Sequence, residues 1–357
     1  SYWVTWVSYV PSEMIAAGII MNGFFPEVGT IWWAVFFGLI VTILNLFRVD
    51  KFGESEFWLS LIKVTALVAF SVVALLICLG ITGDEGYIGT RILLGSGGFA
   101  PNGYAAIVLT MVIILVNFQG TEIIGLAAGE TADPARSIPS AVRNVTWRII
   151  ALYIAPITLL ISILPWDHAS LSESVFAAAL AEHGLSHLAA LFSLVVLTAA
   201  ISCSNSGLYG AARTVHALAT MGMAPRVLEG LSSKGVPSRA IYASIIFCWG
   251  VIAIYAMNPN SQLYTYLLAL SGFSGAMAWI SICWSQYRRR RKLETEGQVS
   301  LLRYRTPFFP YVTLFGIWAQ VFCLIFMIFV PELRSALYLG VPMLVVPMIL
   351  YRFLRRG

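Results

Sequence analysis

Charge is scarce in this chain. Lys and Arg number 22 and Asp and Glu 17 among 357 residues, so charged side chains make up 11%, against about 25% in an ordinary soluble domain. Apolar residues reach 59% and the mean hydropathy is +0.83, which makes lipid the solvent for most of the chain and excludes a soluble enzyme, a nucleic-acid module or a disordered tail. Paired cysteines are lacking too: Cys78, Cys203, Cys248, Cys283 and Cys323 stand singly in apolar stretches, without disulfide or metal-ligand spacing. There is no GxxxxGK phosphate loop, which argues against ATP hydrolysis, and no HExxH for a zinc site. The net charge of +5 would suit nucleic acid only if the positive residues clustered on a soluble face.

What is present is a series of charge-free windows of spanning length. A bilayer-crossing helix needs about 20 mainly apolar residues, because its backbone must be hydrogen-bonded within the segment. Windows at 28–47, 64–83, 92–121, 149–166 and 306–331 meet this, and 240–287 holds two spans punctuated by Asn258-Pro259-Asn260. With 1–24, 183–212 and 335–351, ten transmembrane helices are expected in a single transmembrane domain over 1–357, an all-α polytopic membrane protein. Positive charge supports that count. Eighteen of the 22 Lys and Arg residues fall in loops on one side, two (Arg91 and Arg334) on the other, and Lys63 and Arg213 within spans. The basic side is expected to be cytoplasmic, with both chain ends there, and the RRRRK run at 288–292 reads as a topology anchor at acidic headgroups. Ser1 already lies inside an apolar helix with no Met before it, so an amino-terminal portion is expected to be missing.

Charges inside a bilayer are costly and point to function or to a paired or snorkelling structural role. Glu13, Lys63, Glu122 and Arg213 are the candidates. Arg213 can snorkel; Lys63 can do so or face a site; Glu122 has too short a stem to reach far. Around Glu122, NFQGTEIIGLAAGE concentrates Gln119, Gly120, Thr121, Gly125 and Gly129. Small-residue spacing there serves tight helix packing, or glycine permits a broken helix whose free amides and carbonyls hold a small polar ligand. In SCSNSG, Ser202, Asn205 and Ser206 share one helix face and suit either interhelical hydrogen bonds or a ligand contact. Tyr2, Trp3 and Trp6 suit an interfacial belt or a pocket wall. No nucleophile and base can be assembled for an intramembrane hydrolase.

Four segments together carry a family resemblance: YWVTWVSYVPSEMIAAGIIMNGFFP at 2–26, FGESEFWLSLIKV at 52–64, NFQGTEIIGLAAGETADPARSIPSAVRNVTWRI at 117–149 and SNSGLYGAARTVHALATMGMAPR at 204–226. They closely resemble the bacterial amino acid permeases of the amino acid, polyamine and organocation superfamily, with motifs like those of lysine and arginine permeases that neutral amino acid members share. The resemblance implies an inverted five-plus-five repeat fold with the first two helices missing, including the family's broken first helix that holds the substrate carboxylate. It implies that Phe118, Gln119, Gly120 and Thr121 form an unwound segment offering carbonyls to the substrate ammonium, with Glu122 a substrate or proton contact. Tyr2 and Trp6 line the pocket, and Ser271 and Gly272 are weaker candidates. Lys63 matches a lysine that stands where sodium-coupled relatives bind an ion, with Ser202, Asn205 and Ser206 beside it; a desolvated amine can release a proton. The implied function is amino acid import at the bacterial cytoplasmic membrane by proton symport with alternating access. It needs no cofactor or metal beyond the proton gradient and involves no ATP, no nucleic acid and no enzymatic turnover. An exchanger, or a non-transporting permease-like sensor or fragment, is the alternative.

Overall fold

The computed structural model describes residues 1–46, 49–82, 86–95, 97–98, 100–126, 133–169, 174–233, 235–259, 263–302 and 304–354. Among them every regular element is helical. The chain is an all-α polytopic membrane protein. Its α-helices are α1 (Tyr2–Phe24), α2 (Thr30–Asn45), α3 (Val49–Cys78), α4 (Arg91–Gly95), α5 (Gly103–Ile114), α6 (Ile123–Leu126), α7 (Pro134–Ile149), α8 (Ala155–Ile163), α9 (Val175–Glu182), α10 (Ser186–Thr220), α11 (Ser238–Met257), α12 (Leu263–Thr295), α13 (Tyr311–Phe326) and α14 (Pro331–Leu354). A π-helical stretch, Ile150–Ile154, joins α7 to α8.

Seven helices among the described residues are long and apolar enough to cross a membrane. Of the ten expected windows, two coincide instead with shorter apolar helices, Thr30–Asn45 and Ala336–Val346. The window at 92–121 is broken into α4, α5 and a 3-10 turn at Leu115–Phe118. The Asn258-Pro259 punctuation does separate α11 from α12. By contrast, α3 begins well before the charge-free window, at Val49, while its apolar span starts at Glu56, so Lys63 stands about 10 Å into that span at 1.5 Å per residue.

The polarity of α2 shows the arrangement. Trp32, Phe36, Leu39 and Ile43 are exposed along one stripe, while Ala34, Phe37, Val41 and the polar Asn45 are buried on the other. An exposed apolar stripe with polar groups inside is what lipid selects. At the centre lies α1, which packs against α10, α2, α12 and α11 and buries Thr5, Ser8 and Ser12 as well as Val7, Val10 and Met14. Lipid supplies little hydrophobic drive between helices, so close approach at small residues has to do the work. A Cβ on Gly207 would come to 2.8 Å from Val10 and 2.9 Å from Trp6, and one on Gly210 to 3.1 Å from the Trp6 indole nitrogen. The two glycines of SNSGLYG therefore form a notch in α10 that seats the Trp6 ring, which is 3% exposed.

Candidate substrate and coupling site

The break between α5 and α6 is the local feature from which the site is built. Gly120 has φ +107°, a conformation that L side chains rarely adopt, and a helix interrupted at membrane depth must re-pair its freed backbone groups. The Gly120 amide donates to both oxygens of the Glu122 carboxylate at 3.1 Å. The Gly120 carbonyl accepts from the Ile123 amide at 3.1 Å, and the Glu122 carbonyl from the Gly125 amide at 2.9 Å. Tyr153, from the π-helical stretch, donates to the Asn117 carbonyl at 3.3 Å and stacks its ring on Phe118 with centroids 5.3 Å apart.

Glu122 gathers further donors from outside its segment. The Tyr2 hydroxyl donates to Oε1 at 3.0 Å and the Trp279 indole N–H to Oε2 at 3.2 Å, tying the broken segment to α1 and α12. Gln119 pairs reciprocally with Ser271: its Nε2 donates to the Ser271 carbonyl at 3.1 Å, and its Oε1 accepts from Ser271 Oγ at 3.2 Å. Ser271 Oγ also lies 3.1 Å from the Thr5 carbonyl. The Gln119 carboxamide lies in a space that only a glycine at 275 leaves open, since a Cβ there would overlap it.

A cavity of about 340 Å³ lies beside this segment, within the roughly 300–1,000 Å³ of small-molecule sites. Trp6 and Tyr9 of α1 form one wall, and Gln119, Gly120 and Ile123 another. Lys63 of α3 closes it together with Ser202, Cys203 and Ser206 of α10. Lys63 Nζ donates to Ser202 Oγ at 2.7 Å, so its amine points inward rather than toward headgroups. On the far side of the serine is a residue that the charge-free windows passed over: Ser202 Oγ donates to Glu56 Oε2 at 2.7 Å, and Asn205 Nδ2 donates to Glu56 Oε1 at 2.6 Å. Asn45 Nδ2 in turn donates to Asn205 Oδ1 at 2.8 Å. Glu13 is hydrogen-bonded to Tyr9, one turn earlier on α1, and lies within electrostatic reach of Lys63.

The residues singled out in the sequence thus fall into two groups. Trp6, Lys63, Gln119, Gly120, Ser202 and Ser206 share the cavity. Tyr2, Glu122 and Ser271 brace the broken segment from behind, Asn205 serves Glu56, Phe118 stacks on Tyr153, and Thr121 is exposed. Arg213 lies over the Tyr209 ring, 3.4 Å from its centroid, one turn back on α10. Tyr9, Cys203 and Glu56 were missed. The spacing of Glu56 and Lys63, seven residues and two turns apart on one helix face, was the available signal.

The amino acid permease family profile matches residues 1–356. The chain belongs to the amino acid permease family. This permease is 36% identical over 348 residues to the amino-acid permease RocC of Bacillus subtilis, covering 96% of the chain and 74% of that protein. It is 39% identical over 336 residues to the lysine-specific permease LysP of Escherichia coli, covering 91% and 68%. It is 35% identical over 338 residues to a gamma-aminobutyric acid permease of Bacillus subtilis, covering 95% and 72%. Members of the family are transporters, and the helices of this permease make it a multi-pass membrane protein.

Proposed function

We propose that this permease imports an amino acid across the bacterial cytoplasmic membrane by proton symport with alternating access. The observation that carries the reading is Lys63, an amine held by the Ser202 hydroxyl at 2.7 Å in the wall of a cavity that the broken α5–α6 segment also lines. The substrate ammonium meets backbone carbonyls of the 118–121 turn. Of these residues Gln119 and Gly120 line the cavity, and the Gly120 carbonyl, which accepts from the Ile123 amide, keeps a second lone pair for the ligand. Trp6 and Tyr9 pack against the substrate side chain, and Ser206 adds a polar contact. Because Glu122 is occupied by protein donors, it works here by holding the break open rather than by reading the charge of the substrate. The proton gradient drives the cycle, and the proton rides on Lys63. The carboxyl terminus, beside the basic residues of 352–356, faces the cytoplasm.

The test is uptake by the protein reconstituted in vesicles, across a panel of radiolabelled amino acids beginning with lysine, after a pH jump with no amino acid inside. Accumulation of at least one amino acid, lost in Lys63→Ala, is the expected result. Uptake that requires internal amino acid makes the permease an exchanger, and undiminished pH-driven uptake by Lys63→Ala removes the lysine from the coupling role.

A further inference from the structure

We infer that Glu56 is the proton acceptor for Lys63, reached through the Ser202 hydroxyl, and that this relay is the path by which the coupling proton leaves the cavity. The geometry is a continuous chain. Lys63 Nζ donates to Ser202 Oγ at 2.7 Å, and the same oxygen donates its own hydrogen to Glu56 Oε2 at 2.7 Å. Ser202 is 1% exposed, so its hydroxyl is shielded from bulk water. A serine hydroxyl is one donor with two acceptor lone pairs, and here it accepts from a cation on one side and donates to a carboxylate on the other. A structural serine needs only one of these partners.

The orientation of the acceptor is fixed from the next position. Asn45 donates to Asn205 Oδ1 at 2.8 Å, which settles the Asn205 carboxamide with its NH₂ toward Glu56 Oε1, 2.6 Å away. One carboxylate oxygen is thus held by an amide that cannot take a proton, and the other faces the serine. The step conserves atoms and charge. The Lys63 ammonium gives a proton to Ser202 Oγ as the serine's original proton passes to Glu56 Oε2; an N–H and an O–H bond break, a new serine O–H and a carboxylic O–H form, and no electron is transferred. An ammonium and a carboxylate become an amine and a carboxylic acid. Glu56 is half-buried at the first residue of the α3 span, the end toward the basic residues Arg48 and Lys51 in the sequence, where the acid can discharge to water and the relay resets.

Other ionisable groups face this cluster. Glu13 and Cys203 lie within electrostatic reach of Lys63, and Tyr9 adjoins Glu13. Tyr153 lies within electrostatic reach of Cys203, and Tyr264 of α12 within reach of Glu13. Of these, Glu13 is the competing carboxylate.

The physiological use of the relay rests on the proton-symport reading, so the test has one arm independent of transport. Infrared difference spectra of the reconstituted protein, taken between high and low pH, are expected to show a carboxylic-acid C=O band that disappears in Glu56→Gln and persists in Glu13→Gln. Ser202→Ala, which keeps Glu56, should shift that band, and Ser202→Thr, which restores a hydroxyl, should return it. In vesicles, Glu56→Gln should lower pH-driven accumulation by about a hundredfold, the low end of what a positioned proton-transfer group contributes, while amino acid exchange at equal pH continues. A band removed by Glu13→Gln and not by Glu56→Gln overturns the relay, as does undiminished accumulation in Glu56→Gln or loss of exchange together with accumulation while the band stays. If the parent protein accumulates no amino acid yet the Glu56-dependent band is present, the symport reading fails and the relay stands.

Discussion

Glu122 is an acid whose charge is spoken for. Tyr2, Trp279 and the Gly120 amide all donate to it, and hydrogen bonds to a charged group contribute about 1.5–3 kcal/mol each. Tyr2→Phe removes one donor without changing ring packing against Trp6, whose centroid is 5.9 Å away. It is expected to lower unfolding stability in detergent by about 1–3 kcal/mol, read from thermal unfolding, and to leave the pH dependence of uptake unchanged. The two central charges were legible in the sequence because Lys63 and Glu122 stand against apolar surroundings. What each of them touches was not. Whether a carboxylate faces a ligand or a ring of donors depends on residues 120 and 157 positions away, a distance that no spacing rule bridges. Glu56 escaped for a simpler reason: it precedes the charge-free window, and a helix is free to begin before its apolar stretch does.

For the helices, the informative residues are glycines at close approaches. Gly120→Ala would place a side chain at φ +107°, a strain of about 1–3 kcal/mol. It should also shift the Glu122 carboxylate off the 120 amide, so reduced uptake accompanied by lower thermal stability is expected. Gly275→Ala is a sharper case, because the added carbon overlaps the Gln119 carboxamide. Here α12 is expected to fold and the pairing of Gln119 with Ser271 to be lost, seen as a raised KM for uptake with a smaller change in stability. Most helix positions were readable from hydropathy, and the split at Asn258-Pro259 from its turn residues. The broken element was readable only in part: the glycines of NFQGTEIIG suggested an interruption, but the window at 92–121 still read as one span, since hydropathy does not register φ angles.

Across the whole molecule, the proposed orientation rests on charge. Arg288 to Lys292 form five successive positive residues, each worth about 1 kcal/mol near an anionic leaflet. Replacing all five with Gln is expected to increase external labelling of a cysteine introduced at Gln298, which is exposed, in intact cells; unchanged labelling would show that other loops suffice to orient the chain. The central position of α1 has a different consequence, one concerning biogenesis. Thr5 finds its partner Ser274 across 269 residues of sequence. At about 5–20 residues per second, α1 waits roughly 15–50 s between its own synthesis and the arrival of α12. Throughout that interval Thr5 faces lipid or the insertion machinery without Ser274, and for the first part of it the Tyr2 hydroxyl is without Glu122, 120 residues on. Folding of this chain is therefore a matter of custody: an early helix apolar enough to span the membrane carries polar groups whose partners arrive only with later ones.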